Sequence, residues 1–296
     1  MSRAASPSTL RCYGTAQVCR VWEVPRSTVY TRRLPPRPSA AKRGPRAGWT
    51  DAALTEQIRA VLAHSSFVGE GYRKVWARLR LSGVRTARGR VLRLMREAGL
   101  LAPTRVGHRR GPQVHDGTIR TERPDEMWGT DATACFTTVE GTATVFIAVD
   151  HYTQECIGIH AAKPGTRFEA LEPLRQGIRE HFADYGANVA AGLALRHDHG
   201  SQYMSDHFQD ELRFLGIRST PAFVATPEGN GCAERFIRTL KEQLLWIETF
   251  ATVEELRLAL MAFKQRYNEQ WLVERHGHRT PSAVRAAFAS TAGVAA

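Results

Sequence analysis

"MWGTDATACFTTVEGTATVFIAVDHYTQECIGIHAAK", residues 127–163, decides the fold. Its first part, "MWGTDATACFTTV", alternates and is rich in Thr, Val and aromatics, as a half-buried strand does. "EG" at 140–141 supplies a turn. "TATVFIAVDHYT" is almost continuously apolar, so it reads as a strand covered on both faces. "ECIGIHAAK" is a third strand. The connections are short, which predicts an antiparallel meander.

Downstream the period lengthens. "TRFEALEPLRQGIREHFADYG" reads as a helix opened by a capping box, Thr166 to Glu169, with Pro173 kinking or shortening its first turns. "AGLALRHD" is strand four, "SDHFQDELRFLG" a helix, "IRSTPAF" a short fifth strand and "TPEGNG" a loop. "CAERFIRTLKEQLLWIETF" is one helix, and "TVEELRLALMAFKQRYNEQW" is another with a capping box at Thr252 and Glu255. The order β-β-β-α-β-α-β-α predicts an α/β fold: a mixed five-stranded, ribonuclease-H-like sheet with flanking helices.

This order spaces three carboxylates. Asp131 lies on strand one, Asp198 at the end of strand four, and Glu234 near the start of the helix after the loop. Thirty-five residues separate Asp198 from Glu234, enough for a helix, a strand and a loop to return Glu234 over the end of strand four. Mg²⁺ takes oxygen ligands and keeps several waters, so two or three carboxylates on a rigid scaffold suffice to hold it. In a two-ion site, Asp131 is the bridging ligand and Asp198 and Glu234 each complete one ion. Asp198 also sits in "LRHDHGSQYMSDHF", between His197 and His199. Both histidines are expected to point away from its face of the strand, so a His-Asp-His zinc site is geometrically poor. Residues 234, 238 and 241 share one helix face, which sets Arg238 and Lys241 on the side of Glu234. Asn230 and Gly231 are placed to cap that helix or to admit a ligand, and Glu228 in the loop has no assigned role.

The N-terminal half is different. Residues 1–123 hold 25 Lys and Arg against seven Asp and Glu, whereas 124–296 hold 16 against 22. A basic half joined to a mildly acidic one points to nucleic acid as partner of the first. Residues 13–33 outline two short helices around Glu23–Pro25, with Ser27 as N-cap of the second. Residues 34–50 are a Pro-rich basic linker. Residues 51–101 hold three amphipathic helices. The third, "VRTARGRVLRLMREAGL", sets Val91, Leu94 and Met95 on one side and Arg88, Arg90 and Arg93 around the rest, as a groove-reading helix does. Residues 102–125 lack periodicity and read as a second linker. The division expected is therefore 1–50, 51–101, 102–125, a core over 126–250 and a C-terminal helical extension over 251–296.

Composition excludes other classes. No run of about 18 apolar residues suggests a membrane span, and the N-terminus has no apolar signal core, so a cytoplasmic, nucleoid-associated protein is expected. Five scattered cysteines without a CxxC pair support neither a disulfide framework nor a zinc finger.

The words "WGTDAT" at 128–133, "HDHGSQYMSDHF" at 197–208 and "NGCAERFIRTLKEQLLW" at 230–246 resemble the catalytic core of the retroviral-integrase-like DDE transposases. "HRTPSAVRAAF" at 278–288, and a helical unit ending "RVLRLMREAGL", resemble parts of bacterial insertion-sequence transposases. The resemblance implies metal ligation by Asp131, Asp198 and Glu234, and DNA contact by Lys241. It implies metal-dependent strand cleavage at element ends and 3′-OH strand transfer with two Mg²⁺ ions, for which Mn²⁺ substitutes. It further implies recognition of terminal inverted repeats and target DNA, a homo-oligomeric synaptic complex, and a partner protein from an upstream reading frame. A DNA-binding regulator without turnover, and a ribonuclease-H-type nuclease, are the other readings.

Overall fold

The computed structural model describes residues 4–33, 48–103, 119–182, 184–222 and 230–294. Most of both expected linkers, and Glu228, lie outside the described residues. The chain divides into two units, Met1–Trp49 and Thr50–Ala296.

The first unit carries α1 (Thr15–Val21) and α2 (Arg26–Arg33), the two short helices expected. Ser27 does not cap the second. It lies inside α2, where its carbonyl accepts the Thr31 hydroxyl at 2.8 Å, and the helix is instead entered through Pro25, whose carbonyl accepts from Thr28 N. Proline presets the backbone angle of a helix entry, which displaces the serine into the first turn.

The second unit begins with a three-helix bundle, α3 (Asp51–His64), α4 (Tyr72–Leu81) and α5 (Arg88–Glu97). Thr50 caps α3 by accepting from Ala53 N. Leu54, Ile58, Val75, Leu79, Val91 and Met95 are fully buried between the helices.

The sheet follows: β1 (Met127–Thr137), β2 (Gly141–Asp150), β3 (Cys156–Ala162), β4 (Ala194–His197) and β5 (Arg218–Pro221), in the order β3-β2-β1-β4-β5. The expected meander forms, with β1–β2 and β2–β3 antiparallel, and β4 and β5 join it in parallel. The sheet is mixed and five-stranded, as expected from the element order.

Alternation divides β1 between two cores. Trp128 faces a cluster built with α6 (Arg167–Ala170), α7 (Glu172–His181), α8 (Ser201–Met204) and α9 (Asp206–Leu215). Cys135 faces the other cluster, built with α10 (Gly231–Leu240) and α11 (Val253–Gln270). On the first face α7 lies so close to β3 that a side chain at Gly158 would meet the Pro173 carbonyl at 2.0 Å.

The helix at 166–186 is interrupted at Leu171, and α7 restarts with Pro173 in its first turn, the shortening expected of that proline. Three other local expectations change. The Thr166 side chain makes no cap hydrogen bond, and Glu169 instead takes His160 Nε2 at 2.6 Å across to β3, so no capping box closes. Four residues of α8 precede α9, a turn not expected from sequence. The helix at 232–250 is α10, then a π-turn over Lys241–Leu245, then non-helical chain whose Phe250 bridges back to Thr137 on β1. Beyond residue 250, α11 carries Leu256, Leu260 and Phe263 into the same buried cluster as α10. Last comes α12 (Pro281–Val294).

Candidate active site

Parallel pairing aligns two of the carboxylates. Gly129 on β1 pairs with Arg196 on β4. Asp198, two residues past Arg196, therefore comes abreast of Asp131, two past Gly129. His197 packs against Tyr203 and Phe208 on the opposite face, so alternation turns Asp198 toward α10, as it does Asp131. Asp131 Oδ1 accepts the following Ala132 N–H at 2.8 Å, and Asp198 Oδ1 accepts Gly200 N–H at 2.9 Å.

Glu234 arrives from α10. Asn230 precedes that helix but does not cap it. Its amide instead donates to the carbonyl of Thr130 at 2.9 Å, one residue before Asp131. This bond seats the start of α10 on β1, and Glu234 follows within the first helical turn, where the helix end favours negative charge.

The electrostatics link the groups. Asp131 is pushed up to about 6, first by burial, then by the charges of Asp198 and Glu234, against its hydrogen bond from Ala132 and the pull of Lys241. Burial also raises Glu234. Lys241 stands at the junction of α10 and the π-turn. Arg238 has a side chain more than half exposed and ion-pairs with Glu242 at 3.1 Å.

Carboxylate oxygens of mutually repelling groups are the donor set that a hard divalent cation takes. Among the described residues, no three His, Cys, Asp or Glu side chains stand close enough to ligate one ion. Asp131, Asp198 and Glu234 supply oxygen donors of the kind such a cation takes, with water and phosphate oxygens able to complete its shell.

The flanking histidines hold backbone. His197 is buried, its Nδ1 against the Asp198 carbonyl at 2.7 Å and its Nε2 against Ser219 Oγ at 2.8 Å. Burial lowers its pKa and keeps it neutral near pH 7. His199 Nε2 lies 2.7 Å from the Ala222 carbonyl. Neither is arranged for zinc with Asp198.

Of the three bundle arginines expected to meet DNA, Arg90 donates to Asp51 Oδ1 at 2.8 Å and Arg93 to Asp51 Oδ2 at 2.6 Å, which ties α5 to the start of α3. Arg88 stacks over the ring of Trp76, and Arg80 does the same. Sequence reasoning left Asn230 between two roles and gave Tyr203 and His151 none. Tyr203 is fully buried beneath the end of β4. Its position in "HGSQYM" was the available signal.

The comparisons agree in both halves. Residues 49–108 match the family model of an HTH-like domain, and residues 215–281 that of an integrase core domain. The transposase for insertion sequence element IS629 of Shigella sonnei is 27% identical over 299 residues, covering 95% of this chain and 94% of that one. A putative transposase for IS986/IS6110 of Mycobacterium tuberculosis is 27% identical, covering 80% of this chain and 88% of the other. Transposase InsD for an IS2 element of Escherichia coli is 26% identical, covering 77% and 78%. Among solved structures, the BIV integrase catalytic core covers 56% of this chain and 97% of its own, at 19% identity and a TM-score of 0.42. The HTLV-2 integrase catalytic core in complex with magnesium covers 56% and 99%, at 16% identity and a TM-score of 0.42. With an HTH-like domain ahead of an integrase core domain, and an insertion-sequence transposase aligned along nearly its whole length, the chain is similar to the insertion-sequence transposases in both halves.

Proposed function

We propose that this transposase cleaves DNA strands at the ends of a mobile element and joins the exposed 3′-OH to target DNA, using Asp131, Asp198 and Glu234 as its metal ligands. The observation that carries the reading is the alignment of Asp198 with Asp131 across the β1–β4 pairing. The charges of Asp198 and Glu234, which help to raise Asp131, support it. Two Mg²⁺ ions, with Mn²⁺ as substitute, supply activation of the attacking water or 3′-OH and charge stabilisation at the leaving 3′ oxygen.

The chain's own residues do the rest. Asp131, Asp198 and Glu234 would hold the ions through their carboxylate oxygens. The bond from Asn230 to the Thr130 carbonyl holds the start of α10 in register with β1. Lys241 takes a phosphate beside the carboxylates, with Arg238 further out along the helix. No covalent protein intermediate is required. The bundle over 51–101, with Arg88, Arg90 and Arg93, binds the terminal inverted repeats. The active form is a homo-oligomer bridging two ends, assisted by an upstream-frame partner. No helix among the described residues is long and apolar enough to cross a membrane.

The test is strand cleavage and joining on labelled element-end DNA with Mg²⁺ or Mn²⁺. Wild type yields a 3′-OH product and joined strands, and Glu234→Gln falls on the order of a thousandfold, as loss of several kcal/mol of charge stabilisation requires. Binding without cleavage by wild type, even with the upstream product added, would leave a DNA-binding regulator. Cleavage only of an RNA/DNA hybrid would leave a ribonuclease-H-type nuclease.

A further inference from the structure

Two buried polar atoms beside the active site have no hydrogen-bond partner: His151 Nε2 and Asn230 Oδ1. Their residues are only 7% and 5% exposed. They belong to different elements, the turn after β2 and the residue before α10. Both border the same small space. A side-chain carbon built on Gly129 would lie 2.8 Å from His151 Nε2 and 2.9 Å from Asn230 Oδ1. The missing side chain of Gly129 thus leaves room for these two atoms.

The hydrogen-bond roles are fixed by their surroundings. Asn230 Nδ2 already donates to the Thr130 carbonyl. Flipping the amide would set its oxygen against that carbonyl oxygen, two acceptors face to face. Oδ1 is therefore the amide atom that borders the Gly129 space beside His151 Nε2, and it can only accept. Burial, with the charges of Arg275 and Arg196, holds His151 neutral down to about 4, and a neutral imidazole has one N–H to give. Its position is set independently: His151 N–H donates to the Met127 carbonyl at 2.9 Å, and Arg275 donates to the carbonyls of His151 and Tyr152. A buried donor and a buried acceptor, aimed into one cradle, are costly to leave apart.

We infer that His151 donates its Nε2–H to Asn230 Oδ1 across Gly129, and that this bond makes Asn230 a positioning residue that sets Glu234 against Asp131. The chain of contacts runs from the β2 turn through His151 to Asn230, and from Asn230 to the backbone of β1 beside Asp131. Asn230 acts only through the placement of α10. The role, though not the bond, rests on the transposase reading above.

The experiment has two arms on the full chain. The first is ¹⁵N NMR of the imidazoles near pH 7, with the His151 signal assigned by its loss in His151→Gln. The expected result is the Nε2–H tautomer, with its proton exchanging at least tenfold faster in Asn230→Leu. An Nδ1–H tautomer, or a proton indifferent to Asn230→Leu, overturns the bond. The second arm measures element-end cleavage at saturating DNA. His151→Gln, which keeps a donor at the same reach, stays within about threefold of wild type. His151→Leu and Asn230→Leu lose thirtyfold or more in kcat with unchanged DNA Kd and a Tm within a few degrees. Equal losses in the Gln and Leu variants overturn the positioning role. If wild type fails to cleave even with the upstream product added, the transposase reading falls, while the NMR arm still decides whether the bond exists.

Discussion

Gln243 closes both ends of its amide on the backbone of Val68, Oε1 accepting Val68 N–H at 2.8 Å and Nε2 donating to the Val68 carbonyl at 2.9 Å. The pair joins the π-turn after α10 to the loop between α3 and α4. Next to it Phe67 is buried in the core and meets the edge of Trp271 at 5.0 Å, and Ser66 donates to Gln270 at 2.7 Å. The helical bundle is therefore docked on the integrase core by its own loop. Phe67→Ala is expected to lower stability by roughly 3 kcal/mol and Gln243→Ala by about 1 kcal/mol. Urea denaturation followed by fluorescence and by circular dichroism checks this. One shifted transition is expected. An unchanged core transition in Phe67→Ala would mean that bundle and core fold independently.

Asp131 links the candidate active site to stability. Its folded-state pKa is raised from 3.8 to about 6. Below the unfolded value the group is protonated in both states and contributes nothing. Between 3.8 and 6 the folded state binds the extra proton, so stability falls as pH rises through that window, and the loss is complete above it. Without divalent cation, Asp131→Asn is thus expected to stabilise the chain at pH 7.5 by on the order of 1–2 kcal/mol, and to gain nothing at pH 3.5. Added Mg²⁺ should shrink the difference by stabilising wild type alone. Thermal melts of both proteins across this range decide it. A pH-independent difference would show that the substitution acts through packing.

Asp51 holds two of the arginines expected at DNA. Its carboxylate takes Arg90 and Arg93 together, and these bonds hold its pKa below the usual carboxylate value. At neutral pH Asp51→Asn removes the carboxylate that the two guanidiniums share, while Arg93 keeps its ion pair with Glu97 at 2.9 Å. Affinity for element-end DNA is expected to rise severalfold in low salt. Arg93→Ala is expected to reduce the slope of log K against log salt by about 0.9, the share of one phosphate contact on duplex DNA. Salt titrations by fluorescence anisotropy measure both. An unchanged slope would mean that Arg93 serves the α3–α5 contact alone.

What was legible in the sequence follows from the range of each interaction. Strands β1, β2 and β3 showed through period and apolar runs, because both faces of the sheet are covered and a strand must match its cover residue by residue. Asp131, Asp198 and Glu234 could be singled out because an interval between them is countable. Thr252 reads as a cap and is one, accepting from Glu255 N at 3.2 Å. Thr166 reads the same and is not, because Glu169 is drawn to His160 on a neighbouring strand. Arg90 and Arg93 meet their partner 39 and 42 residues away, and no local pattern carries that. His151 and Asn230 are the extreme case, since their approach depends on the absence of a side chain at Gly129.

Arg285 on α12 gathers a buried charge cluster. It donates to Asp125 through Nη1 at 2.6 Å and Nη2 at 3.0 Å, and to Glu155 through Nε. Its side chain is 19% exposed and that of Glu155 only 7%. Burial opposes its charge, but the bonds from Asp125 and the charges of Glu155 and Asp125 more than offset this and raise its pKa. Asp125 also accepts Trp128 Nε1 at 3.0 Å. The "TPSAVRAAF" segment thereby locks the entrance of β1 to the turn between β2 and β3, the turn that carries His151. Removing the guanidinium strands two carboxylates rather than merely losing a contact. Arg285→Met is expected to lose roughly 3–5 kcal/mol near pH 7. Burial already raises Glu155 above its ordinary value, and losing its cation raises it further. The folded variant then binds a proton that the unfolded chain releases, so its deficit should shrink as pH falls toward 4.5. Combining Arg285→Met with Glu155→Met should recover more than half of the loss. Urea denaturation of the single and double variants at both pH values checks this. A double variant as unstable as the single would assign the deficit to lost packing under α12, not to an unpaired buried charge.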